Sequence, residues 1–174
     1  MTQEQKILVF NDLSARLVYG VKVKITINNK DYPDFGGEEV GTVRGLLCFP
    51  DEDDSDKFYF TVVTNYDTTR SQGQDVEDVK PYLRPLSSMT KEEKDELFRL
   101  STMGNGGVNT DWESLGVEII STHPRYGDHY STDYSAIDWL NKNMFDYRGL
   151  IPMGLALTAP EGMYKIHKNK DNGE

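Results

Sequence analysis

Residues 18–28, VYGVKVKITIN, decide how this chain is read. Val21, Val23, Ile25 and Ile27 alternate with Lys22, Lys24, Thr26 and Asn28. Successive side chains of a strand point to opposite faces, so a period of two predicts a strand with one apolar and one wet face. Lys22 and Lys24, with Lys30 beyond them, belong to the wet side.

The neighbouring segments carry the same signature outward. NNKDYPDFGG (28–37) gathers Asn, Pro and Gly and marks a turn. EVGTVRGLLCF (39–49) predicts a second strand, with Gly41 and Gly45 marking a bulge or bend. PDEDDSD (50–56) is a charged loop, and KFYFTVVTN (57–65) a third strand rich in aromatic and β-branched residues. VEDVKPY (76–82) is a short fourth, limited by Pro81. Upstream, NDLSARL (11–17) predicts a single helical turn capped by Asn11 or Asp12. Short, bent strands in this number point to a small curled antiparallel sheet or a partly open barrel of SH3-like type.

The pattern changes at LRPLSSM (83–89). In TKEEKDELFRL (90–100), Thr90 with Glu93 three residues on is a capping box. Glu92, Glu93 and Asp95 then complement the helix dipole, and Leu97, Phe98 and Leu100 give the buried side. MGNGGVNTD (103–111) reads as a mobile loop, WESLGVEIIS (112–121) as one more strand, and THPRYGDHYSTD (122–133) as a loop. A second helix is expected from Asp133 to Asn143, with Gly149 in its C-cap region. The whole run 136–164, AIDWLNKNMFDYRGLIPMGLALTAPEGMY, reads as scaffold. It brings Trp139, Met144, Phe145, Tyr147, Leu150, Ile151 and Leu155 together. In DYRG (146–149), Arg148 is expected to pair with Asp146 or a nearby carboxylate while Tyr147 packs on the first module. The expectation is an α+β chain in which a β module (1–86) is followed by two helices and a short β/loop region. The second part (87–168) packs on the first, and 169–174 form a disordered tail.

Charge narrows the function. The chain has 19 basic and 29 acidic residues, a net charge of −10. Such a field repels phosphate backbones and anionic lipid, so neither nucleic acid nor membrane is an expected direct partner. No apolar run approaches the roughly 20 residues that span a bilayer. MTQEQKILVF lacks the pattern of a secretory signal, and the expected location is cytoplasmic. Cys48 is the only cysteine, which excludes an intrachain disulfide; within GLLCFP it is expected to be a small buried hydrophobe.

Two clusters invite a chemical reading. Asp51, Glu52, Asp53, Asp54 and Asp56 supply hard carboxylate oxygens, but the Gly and terminal Glu of an EF-hand are missing, so a solvated hairpin tip is expected. His123, Asp128, His129 and Asp133 are the residue types that ligate zinc or iron or move protons. Their spacing is not that of HExxH, Pro124 and Gly127 place them on a loop, and Asp133 competes as a helix N-cap. No GxSxG, GxGxxG or GxxxxGK[ST] occurs, so no catalytic residue, cofactor site or cofactor is assigned. Trp112, Tyr126 and Tyr130 are the partner-binding candidates, because aromatic residues are enriched at interfaces.

The segments VKPYLRPLSSMTKEE (79–93) and AIDWLNKNMFDYRGLIPMGLALTAPEGMY (136–164) resemble paired signatures of an uncharacterised protein family of gut Bacteroidales and their phages or mobile elements. DLSARLVYGVKV (12–23) resembles the opening of the same family. Together they cover roughly a third of the chain. The resemblance implies a cytoplasmic, mobile-element-linked protein with an N-terminal β module, and it transfers no site residues. The functional expectation is a non-enzymatic protein-binding or adaptor protein whose partner is another protein. The alternatives are a metal-dependent hydrolase built on His123 and His129, and an acidic DNA mimic that blocks a host protein.

Overall fold

The computed structural model of this chain describes residues 1–27, 37–52, 54, 58–67, 70–103, 107–111, 116–120 and 134–164. The architecture is α+β, and its centre is an open six-stranded sheet. The strands are β1 (Lys22–Ile27), β2 (Gly37–Pro50), β3 (Phe58–Asp67), β4 (Arg70–Asp75), β5 (Val79–Leu83) and β8 (Leu157–Thr158). They run in the order β4-β3-β2-β1-β5-β8. All pairings are antiparallel except β5 with β8, which is parallel. The α+β class is as expected, and in place of a curled antiparallel sheet or a closed barrel the sheet is open, uncurled and mixed, with β4 and β8 as its separate edges. A second ladder pairs β6 (Gly107–Asp111) with β7 (Gly116–Ile120). The described residues also form three α-helices: α1 (Gln3–Arg16), α2 (Lys91–Met103) and α3 (Tyr134–Lys142).

The alternation in β1 does what its period requires. Val23 and Ile25 are fully buried on the inner face, and Lys22 and Lys24 lie on the outer one. In β2 the ladder slips between Val43 and Gly45, at the second of the two glycines expected to mark a bulge. The slip keeps Val43 inside before it and Leu46 inside after it. Val43, Phe60, Val62, Val79 and Leu83 complete the inner surface.

The helix over that surface departs from the sequence reading. Instead of one turn at 11–17 capped by Asn11 or Asp12, α1 runs for 14 residues. Its N-cap is Thr2: Thr2 Oγ1 accepts from the Gln5 amide at 3.2 Å, and Gln5 Oε1 accepts from the Thr2 amide at 3.0 Å. The reason for the miss is visible in the buried stripe, Val9, Asp12, Leu13 and Arg16. Two of its four members are charged, so the 3.6-residue apolar period is interrupted. Phe10 extends the contact, its ring 4.8 Å from that of Phe60.

A smaller core lies beside the first. Leu86, Met89, Leu97, Ala136, Leu140 and Phe145 pack where α2 meets α3. The capping box of α2 forms as read: Glu93 N–H donates to Thr90 Oγ1 at 3.2 Å, and Thr90 N–H to Glu93 Oε2 at 2.9 Å. Residues 103–111, read as a loop, contain β6, and the strand expected at 112–121 is the shorter β7. β4, a polar edge strand, gave no apolar signal at all.

α3 ends at Lys142, close to the expected Asn143, but Gly149 is not its cap. Met144 adopts φ 58°, and the Phe145 amide donates back to the Leu140 carbonyl at 3.0 Å, the Met144 amide to Asn141 at 3.1 Å. This is a Schellman ending with methionine in the left-handed position that glycine usually takes. Burial explains the exception, because the Met144 side chain is 1% exposed within the main core. Gly149, at φ 73°, serves a later turn.

Candidate functional site

Most of the buried polar side chains serve architecture. Asp12 and Arg16, both fully buried, form a two-pronged pair: Arg16 Nε donates to Asp12 Oδ2 at 2.8 Å and Nη2 to Oδ1 at 2.9 Å. Arg16 also donates to the carbonyls of Leu140 at 3.4 Å and Phe145 at 2.9 Å. Arg148 reaches the same carboxylate, Nε 3.7 Å from Asp12 Oδ1, and donates to the Tyr147 hydroxyl at 3.1 Å. The expected Asp146–Arg148 pair is thus replaced by the alternative, a nearby carboxylate. Asp146 instead accepts from the amides of Leu150 and Ile151, each at 2.8 Å, and fixes the turn after α3. Tyr147 OH donates to Asn141 Oδ1 at 3.1 Å. Among the described residues, Thr64 Oγ1 is the one buried side-chain polar atom without a hydrogen-bond partner.

Arg84 joins the two cores. Its guanidinium lies 4.1 Å from the centre of the Phe145 ring and grips Glu93 through two bonds of 2.8 and 2.9 Å. Its backbone pairs in parallel with Phe145. A cleft of about 390 Å³ opens beside it, lined by Arg84, Pro85 and Ser88 on one wall and by 158–162 and Tyr164 on the other. That volume suits a small ligand, and three of the polar side chains that line it are engaged within the protein. Arg84 holds Glu93, Ser88 Oγ donates to Pro85 O at 2.7 Å, and Tyr164 OH donates to Tyr82 O at 2.8 Å while accepting from the Lys22 amide at 3.0 Å. Burial raises the Tyr164 hydroxyl to about 12, so it stays a neutral strut.

Of the residues singled out by sequence, His123, Asp128, His129 and Asp133 lie outside the described residues, as do Trp112, Tyr126 and Tyr130. Asp51, Glu52 and Asp54 stand at the end of the β2–β3 hairpin, with Glu52 exposed. Among the described residues no three His, Cys, Asp or Glu side chains are placed to share a metal ion. Cys48 corrects the expectation of burial: it is exposed, in the last stretch of β2 (47–50), where every residue is exposed.

The surface that stands out is the outer face of that arm. Alternation from buried Phe60 and Val62 places Leu47 and Phe49 of β2 with Tyr59 and Thr61 of β3 on the side away from α1. Leu47, Phe49 and Tyr59 are 46, 51 and 55% exposed, and Phe49 sits directly opposite Tyr59 in the ladder. Val40 adds a further exposed apolar residue on β2. This patch was not among the partner-binding candidates, Trp112, Tyr126 and Tyr130. The signal was present as LLCF against FYF: consecutive apolar residues on both strands leave each face apolar, and only one face can meet α1.

No protein-family model, curated protein or solved structure matches this chain.

Proposed function

We propose that this chain is a non-enzymatic protein-binding or adaptor protein, linked to phage or mobile elements, that docks a partner protein on the outer face of its sheet. The observation that carries the reading is the exposure of Leu47, Phe49 and Tyr59 on two paired strands. Large apolar and aromatic side chains in a contiguous group on a rigid surface are the usual mark of an interaction site. The internal engagement of Arg84, Ser88 and Tyr164 beside the cleft favours binding over chemistry. The resemblance of 79–93 and 136–164 to a mobile-element-linked family supports the biological setting.

Affinity capture from host lysate, run in parallel with wild type and the L47S/F49S variant, tests this. A protein held by the wild type and lost by the variant is expected. A partner held equally by both would remove the outer face from the account.

A further inference from the structure

On the α1 side of the sheet, where the turn after α3 meets α1, we infer that Arg148 and Asn141 form a binding site for a carboxylate. The site is built on the Tyr147 hydroxyl, which donates to Asn141 Oδ1 and accepts from Arg148 Nε, each at 3.1 Å. The Tyr147 ring backs the same group: Arg148 Cζ lies 5.1 Å from its centre, and Arg16 Cζ 5.5 Å. The Arg148 guanidinium is thus held at Nε and over its plane, with the side chain 26% exposed. A fork fixed in this way loses little freedom when it binds.

The capacity left open is all of one kind. Arg148 Nη1 and Nη2 have no acceptor among the described residues, and neither has Asn141 Nδ2, on a residue only 6% exposed. Thr64 Oγ1 is the one buried side-chain polar atom without a partner among the described residues, so these three nitrogens reach the surface. All are donors, and the paired N–H groups of a guanidinium match the two oxygens of a carboxylate. Charge agrees with the donor set. Arg16 and Arg148 face one carboxylate, Asp12, whose two oxygens Arg16 already occupies. Arg148 stands 3.7 Å from it without a hydrogen bond. The carboxylates of the adjoining segments are committed, Asp138 to the Tyr19 hydroxyl and Asp146 to the amides of Leu150 and Ile151. One positive charge is therefore in surplus. A carboxylate monoanion cancels it, whereas a phosphate dianion adds uncompensated negative charge to a chain of net charge −10.

The test follows the arginine Nε–Hε signals in proton–nitrogen spectra of the full chain during titration with sodium acetate, against sodium chloride at matched ionic strength. Wild type is expected to show a saturable shift of the Arg148 signal with acetate alone, with a dissociation constant on the order of 10 mM for so small a ligand. The signal is assigned by its absence from R148Q. Acetate is also expected to raise the thermal midpoint of wild type above that in chloride, to leave R148Q unmoved, and to act several-fold more weakly on R148K, which keeps the charge and loses the fork. A wild-type Arg148 signal that responds equally to acetate and chloride, or to neither, overturns the site, and this readout needs no variant to fold. An acetate effect retained in full by R148Q overturns the placement at Arg148. Inorganic phosphate bound more tightly than acetate overturns the choice of a carboxylate. A hexaglutamate peptide separates the two sources of that group. Tighter binding than acetate at the same signal supports the site with an acidic segment of a partner as its ligand, and no gain over acetate supports it with a free small carboxylate.

Discussion

Arg16 Nη2, in the last turn of α1, donates to the main-chain oxygen of Phe145 at 2.9 Å, 129 residues away. The acceptor lies just past the end of α3, and Nη1 reaches the Leu140 carbonyl inside its last turn. A helix ends with carbonyls that its own backbone cannot satisfy. Here a buried guanidinium from another helix satisfies them and sets positive charge against the negative end of the α3 dipole. Asp12 makes this possible by holding two nitrogens of Arg16.

Removing Asp12 should therefore be severe. Asp12→Ala leaves Arg16 buried beside an empty site, and breaking one side of a buried pair costs about 3–5 kcal/mol. Urea unfolding of the variant should give that loss. A value under about 1 kcal/mol would mean that Arg16 rehydrates once its carboxylate is gone.

The capping box of α2 allows a graded comparison. Thr90→Ala removes one cap bond and should cost about 1 kcal/mol. Glu93→Ala removes the reciprocal cap bond and also both bonds to Arg84, so its cost should be larger. Equal losses in thermal or urea melts would show that the Arg84–Glu93 pair adds nothing net.

Alkaline pH should weaken the fold through Tyr164. Its folded pKa is raised to about 12 by burial, against about 10 for a free phenol. A raised folded pKa means that the unfolded chain loses the proton first, so the contribution is intact below about pH 10. It declines as pH climbs from there through about 12, at up to about 1.4 kcal/mol per pH unit. Urea melts from pH 8 to 11 should show a steeper decline in wild type than in Tyr164→Phe, the difference cancelling the titration of lysines. Parallel curves would place Tyr164 in water.

The two glycines of β2 should behave differently. A Cβ at Gly41 would meet Ile25 Cδ1 at 2.7 Å, and Ile25 is fully buried. Gly41→Ala should cost about 1–3 kcal/mol, the usual range for an overpacked core. At Gly45 the nearest atom is Val63 Cβ at 3.6 Å, an ordinary contact, so Gly45→Ala should be nearly neutral. Thermal midpoints of the pair decide it, and similar shifts would count against the close approach of Ile25 to Gly41.

The sequence by itself determined what local rules control. Alternation fixed β1 and its buried face, glycine placed the β2 slip, and the Thr90–Glu93 spacing started α2. These signals work because strand faces, bulges and N-caps are settled by residues a few positions apart. Tertiary structure decided the rest. α1 was hidden because Asp12 and Arg16 occupy core positions, and charged residues belong there only when a distant α3 supplies acceptors. β4 was hidden because an edge strand of polar residues takes its order from β3. The α3 ending fell at Met144 because burial of that side chain outweighed the preference for glycine. The exposed apolar face was hidden for a related reason: Leu47 and Phe49 are as apolar as Leu46 and Phe60, and which of them meet a helix depends on where α1 lies. A sequence states how apolar a strand is, but only packing decides which of its faces remains open.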